Sequence, residues 1–153
     1  MGTNYWMFVE NKQNSEITRK LNYSMFGVGP NYKRRAQRIQ KNDRVIFYTR
    51  TTKALTATAT ITEECFEDTS PTWEPKNNTE EFKFRISLKA NHILKEKNYL
   101  DASYIGPRLE YMKNWIPEDW YLAFWDTLHL LPQRDFRLLE DEMKRYPSVK
   151  VKR

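Results

Sequence analysis

The sequence predicts an α+β fold, a small, strongly curved, mixed or mostly antiparallel β-barrel with helices packed around it. Three stretches carry that expectation. Residues 55–62, LTATATIT, alternate strictly: Leu55, Ala57, Ala59 and Ile61 point one way, and Thr56, Thr58, Thr60 and Thr62 the other. Two alanines in the inward row imply that something bulky comes close, as when a small sheet closes on itself. Residues 82–89, FKFRISLK, also alternate, with Phe82, Phe84, Ile86 and Leu88 inward and Lys83, Arg85, Ser87 and Lys89 outward. Residues 4–10, NYWMFVE, are apolar on both faces, as a central strand must be. At 153 residues the chain is one domain's length, so residues 1–153 are read as a single domain.

The remaining elements follow in chain order. NSEITRKLN, with Ser15 as N-cap and Ile17 and Leu21 four apart on one face, predicts a short helix. NYKRRAQRIQ predicts a second helix, with Tyr32, Ala36 and Ile39 on its buried side and Arg34, Arg38 and Lys41 on the other. Asn42-Asp43 forms a turn into the strand RVIFYTR. A long loop spans roughly 65–80 and holds Trp73 between prolines; loops of that length in small domains are usually functional. Gly106-Pro107 and Ile116-Pro117 break the next stretch, helix resumes over WYLAFWDTLHLL, and Pro132 ends it. QRDFRLLEDEMKRY predicts a last helix with Phe136, Leu139 and Met143 on one face. Residues 146–153 read as a frayed basic tail.

Composition narrows the function. Twenty-six Lys and Arg against twenty Asp and Glu give a net charge of +6 and a pI near 9.4, which favours polyanionic partners. Cys65 is the one cysteine, so no intramolecular disulfide and no thiolate metal site can form, and a reducing, cytoplasmic setting is expected. No apolar run is long enough to cross a bilayer, and the first residues lack the pattern of a signal peptide.

Catalytic chemistry finds little support. His92 and His129 stand apart and outside any metal-ligand spacing, so neither a metal nor a cofactor is expected. Gly27-Val28-Gly29 lacks the third glycine of a dinucleotide loop. The basic helix is more informative, because like charges along one face repel and a phosphate ligand would relieve them. Phe26, Trp73 and Trp120 are flanked by turn or loop signals, and a ring so placed can stack on a base.

At this point the residues resemble a known family. NYWMFVEN at the start, FGV at 26–28 and NDRVIFYTR at 42–50 are similar to the EVE domain, of the PUA-like superfamily. So are YMKNW, FW and LLPQRDFRLLE toward the C-terminus, and the similarity runs from about residue 4 to 145. The order of parts also resembles the YTH domain, a related fold that binds N6-methyladenine in RNA within an aromatic cage. Two positions depart from the family pattern: Phe26 stands where Trp is common, and Gly-Pro-Asn-Tyr replaces the usual Arg-Asn-Tyr run.

The resemblance implies a PUA-like barrel with a pocket for a modified nucleobase in RNA or DNA. Phe26 would be a wall, the backbone of Gly27 and Val28 would bond the base edge, and Asn11 would be a polar reader. Trp120 and Phe124 would supply further walls, and Lys33, Arg34, Arg35 and Arg38 would hold phosphates. The protein is thus expected to be a non-catalytic reader of nucleic acid. Two rivals stay open. One is a PUA-like hydrolase or deaminase using a buried carboxylate, Lys or Cys, for example Glu10 or Cys65. The other is a protein-interaction module with a basic surface.

Overall fold

Apolar side chains on both faces of the central strands require two cores, and the fold supplies them. The computed structural model describes residues 2–115 and 117–150. Among these, the strands are β1 (Tyr5–Glu10), β2 (Met25–Val28), β3 (Arg44–Thr49), β4 (Ala54–Ile61), β5 (Phe66–Glu67), β6 (Phe84–Ile93), β7 (Leu100–Asp101) and β8 (Leu128–Leu131). The helices are α1 (Lys12–Lys20), α2 (Lys33–Arg38), α3 (Trp120–Ala123) and α4 (Gln133–Met143). The strands pair in the order β2-β6-β4-β3-β1-β8, with β5 on β6 and β7 on β4. β1 and β3 run parallel and the other pairs antiparallel, so this is a mixed sheet, curled into a half-barrel.

The inner core collects Trp6 and Phe8 from β1, Phe47 from β3, Ala57 and Ala59 from β4, and Phe26 from β2. The alanines do admit a close bulky neighbour, since Ala57 lies opposite Phe47 in register. On the outer face, Met7, Val9, Ile46 and Tyr48 pack beneath α3, α4 and the segment 102–112. α4 presents Phe136, Leu139 and Met143 to that layer, as its spacing predicts.

Several local expectations are corrected. A bulge between Phe47 and Tyr48 inserts Thr56, so Leu55 leaves the alanine row and enters the outer core. In the other row of β4, Thr56 and Thr58 are fully buried. Asn11 rather than Ser15 caps α1, its Oδ1 accepting from Asn14 N at 2.8 Å. The second helix is shorter than expected, with a 3-10 turn over Pro30–Tyr32 leading into Lys33. Residues 128–131 are not helical but form β8, antiparallel to β1. Phe82 ends a 3-10 turn ahead of β6, and Arg85 is buried rather than outward.

Of the Ile116-Pro117 break, Ile116 lies outside the described residues, and Pro117 begins a 3-10 turn through Asp119. The tail is held as far as Val149, whose N–H donates to Ile93 O at 2.7 Å, while residues 151–153 lie outside the described residues. No helix among the described residues is long and apolar enough to cross a membrane.

Candidate functional site

The curled sheet leaves a gap between the end of β1 and the free edge of β2, and a cleft of about 440 Å³ opens there. Small-molecule sites usually measure about 300–1,000 Å³. Val9, Glu10 and Asn11 form one side, and the segment from Phe26 to Tyr32 forms another. Trp73 to Pro75, Asn78 and Glu80 to Phe82 close the third, with Asn14, Arg50 and Thr127 completing the lining.

The loop that closes the cleft is tied down along its length. Asn14 of α1 makes a reciprocal pair with the backbone of Glu74, donating from Nδ2 at 3.0 Å and accepting at Oδ1 at 2.8 Å. Trp73 Nε1 donates to Thr18 Oγ1 at 3.0 Å. Arg85, only 1% exposed, donates to Ser70 O at 2.6 Å, to Thr72 Oγ1 at 3.3 Å and to Phe82 O, with its guanidinium 4.8 Å from the Trp73 ring centre. A buried cation survives only with its donors satisfied, and here two loop carbonyls and the Thr72 hydroxyl satisfy them.

Gly27 and Gly29 fit this arrangement through space rather than dihedral angle, since neither has a positive φ. A Cβ on Gly27 would lie 2.7 Å from Trp73 Cζ3 and 3.0 Å from Phe82 Cβ. One on Gly29 would lie 3.1 Å from Glu81 O. The glycines therefore seat the loop against β2.

Four of the ten expected site residues line the cleft: Asn11, Phe26, Gly27 and Val28. With its oxygen occupied by the α1 cap, Asn11 keeps its amide hydrogens uncommitted among the described residues. β2 is an edge strand, so alternate backbone groups face away from β6. Phe26 borders the cleft, but its ring is 2% exposed, stacked on Phe8 at 4.5 Å and edge-on to Phe47 at 5.9 Å, so most of it is committed to the inner core. Trp120 and Phe124 do not join the cleft lining: they pack on Tyr48 in the outer core.

None of the four basic residues expected on phosphates lines the cleft. Arg35 is engaged by the fold, pairing with Asp126 at 2.7 Å and donating to Leu128 O at 3.1 Å. Burial tends to raise the Asp126 pKa, but hydrogen bonds from Tyr32 and Arg35 outweigh it and hold that carboxyl below its ordinary value. Lys33 Nζ lies 5.9 Å from the Phe84 ring centre. Arg34 and Arg38 are exposed, with no acidic partner among the described residues.

Period marked Phe82 only as an inward strand residue, and neither composition nor period marked the Arg50–Trp125 pair. Trp125 is 60% exposed, with the Arg50 guanidinium 5.4 Å from its ring centre. The end of β1 also brings Glu10 into the cleft, where it is 6% exposed and accepts from Thr18 Oγ1 at 2.5 Å. Burial, only partly offset by that hydrogen bond, pushes its pKa up to about 8. Cys65 instead packs against the inner core, away from the cleft, and burial raises its thiol pKa. His129 is held by Tyr111 Oη at 2.9 Å and Asp126 O at 2.7 Å, with burial lowering its pKa.

The family model of the EVE domain matches residues 4–116, a span that contains all of the cleft lining except Thr127. The chain belongs to the EVE domain family. No curated protein matches it.

Solved structures share the fold of this EVE domain at low identity. The Toxoplasma CPSF4 YTH domain, in complex with a 7-mer m6A-modified RNA, superposes with a TM-score of 0.70 at 12% identity. That match covers 97% of this chain and 95% of the other. The YTH domain of Zygosaccharomyces rouxii MRB1, in complex with N6-methyladenosine RNA, gives 0.63 at 9% identity, covering 99% and 90%. Rpa0253 from Rhodopseudomonas palustris gives 0.59 at 16% identity, covering 94% of each chain.

Proposed function

We propose that this EVE domain is a non-catalytic reader of nucleic acid that holds one extruded, modified base in the cleft beside β2. The observation that carries this reading is the juxtaposition of an edge-strand backbone, the free amide of Asn11, and the partly exposed ring of Phe82, backed by the buried Trp73, around a cleft of 440 Å³. A flat ring binds any base, while the backbone of Gly27 and Val28 and the Asn11 amide select its edge. Arg34, Arg38 and Lys33 on α2 would meet the flanking phosphates, and Trp125 with Arg50 would receive a neighbouring base. The fold shared with YTH domains bound to N6-methyladenosine RNA makes that modification the first to test.

The test titrates the protein with seven-nucleotide RNAs, with and without a central N6-methyladenosine, and with DNAs carrying methylated or hydroxymethylated bases, at two salt concentrations. A preference for one modified base that persists at both salt concentrations and vanishes in Phe82→Ala supports the reader. Equal binding of modified and plain oligonucleotides reduces the cleft to a bystander beside a basic surface, and no binding at all overturns the reading. Chemical conversion of the base would restore the hydrolase or deaminase alternative.

A further inference from the structure

Glu10 is placed unlike any other acidic group in the protein. It ends β1, pairs in register with Thr49 of β3, and is more than nine-tenths buried while lining the cleft. No ion pair reaches it among the described residues. Arg50 lines the same cleft, but its guanidinium is drawn over Trp125. A buried carboxylate without a counter-ion is costly, and the cheaper state is the neutral acid.

Hydrogen-bond direction then places the proton. Trp73 Nε1 can only donate, so Thr18 Oγ1 accepts from it. Thr18 has a single hydroxyl hydrogen, and it is given to Glu10 Oε2. Oε2 is thus an acceptor, and the acid's own hydrogen belongs on Oε1, which has no partner among the described residues. A carboxylic acid kept neutral in an apolar setting is an established way to obtain a hydrogen-bond donor at pH 7.

We propose that Glu10 reads the bound base by donating its Oε1 hydrogen to an acceptor atom on it, a ring nitrogen or a carbonyl oxygen. The proposal rests on the cleft being a base site. It adds a rule of selection, because a base that turns an amino group toward Glu10 meets donor against donor. It also makes recognition sensitive to mildly alkaline pH: the donor is present below about pH 8 and lost above it. The charged and titratable groups sharing the cleft are Arg50 from the end of β3, Glu74, Glu80 and Glu81 from the loop, and Tyr32 from the turn before α2. From α1 the facing groups, Asn14 and Thr18, carry no charge.

The experiment measures affinity for the N6-methyladenosine 7-mer RNA from pH 6 to 9.5 in the wild type and in Glu10→Gln, which retains every other group. Wild-type affinity should hold to about pH 7.5, fall by up to about tenfold per pH unit between the free-state and bound-state pKa values, and level off above the latter. Glu10→Gln should give a flat profile. A wild-type profile that is equally flat, or a decline that survives in Glu10→Gln, overturns the role of Glu10 and leaves the reader intact. Absence of binding at every pH in both proteins removes the reader and this proposal together. Carboxyl carbon-13 NMR of the wild type gives a second measurement that does not depend on the variant. The Glu10 resonance should titrate near pH 8 in the free protein and at higher pH with the RNA bound. An unchanged midpoint on binding overturns the proposal.

Discussion

Replacing Glu10 by Gln should make the protein more stable, and the gain should depend on pH in a calculable way. In the unfolded chain the carboxyl titrates at its ordinary 4.5, while in the fold burial pushes it to about 8. Below pH 4.5 both states hold the proton and no difference arises. Between 4.5 and 8 the folded state keeps a proton that the unfolded state has released, so stability falls as pH rises, by about 1.4 kcal/mol per pH unit. Above 8 the loss is complete, at about 5 kcal/mol. Gln has nearly the same shape, can accept from Thr18, and does not titrate. Urea unfolding followed by tryptophan fluorescence from pH 4 to 9 should therefore give equal stabilities at pH 4. The variant should lead by about 3 kcal/mol at pH 7 and about 5 kcal/mol at pH 9, at constant m-value. Groups such as His129 titrate in both proteins and drop out of the difference. A gap that stays constant between pH 4.5 and 8 would refute the assignment of a neutral acid at Glu10.

Phe26→Ala should act on folding, losing about 3–5 kcal/mol in denaturant unfolding because the ring fills the inner core between Phe8 and Phe47. Gly27→Ala pushes a methyl group into Trp73 at 2.7 Å, so about 1–3 kcal/mol should be lost, with a shift in tryptophan emission as the loop lifts. Trp125→Ala should weaken binding of an oligonucleotide by about 1–3 kcal/mol and leave binding of the free modified nucleoside unchanged, as calorimetry would show. Arg34→Ala with Arg38→Ala should lower the slope of log affinity against log salt by about 0.7 per lost phosphate contact on single strands, without altering the preference for the modified base.

The sheet was legible because burial on two sides forces a pattern on the chain. β1 could be read as central from Trp6 and Phe8 alternating with Met7 and Val9, which now occupy different cores. Leu55 was misplaced because a bulge is a property of strand pairing, and nothing in LTATATIT announces which partner will slip. LHLL at 128–131 shows the ambiguity of short apolar runs: four residues cannot separate a strand from the end of a helix. The strand outcome follows from pairing with β1, a partner more than a hundred residues away in sequence.

The site was legible in part. The aromatic-glycine turn did mark the cleft, yet the ring beside the glycines belongs to the core and the glycines themselves accommodate Trp73. Sequence context separates Phe26 from Trp73 only weakly, because a loop tryptophan and a strand phenylalanine both look available until packing is known. Arg85 follows the outward row of an alternating strand, and its burial reflects loop oxygens that arrive from residues 70, 72 and 82, two carbonyls and the Thr72 hydroxyl. Glu10 reads as a polar strand end. Only the fold shows that α1, β3 and the loop enclose it.

The single guanidinium of Arg85 grips both ends of the loop, at Ser70 and Thr72 on one side and Phe82 on the other. It works as a non-covalent staple, so the chain between the gripped points behaves as a short closed loop anchored to β6. Lengthening such a loop costs little closure entropy, about 0.6 kcal/mol per doubling. Residues 74–81 can then change in length and composition across evolution without loosening the strands beneath them. The part of the cleft wall whose length is cheapest to change is thereby separated from the strands that must fold.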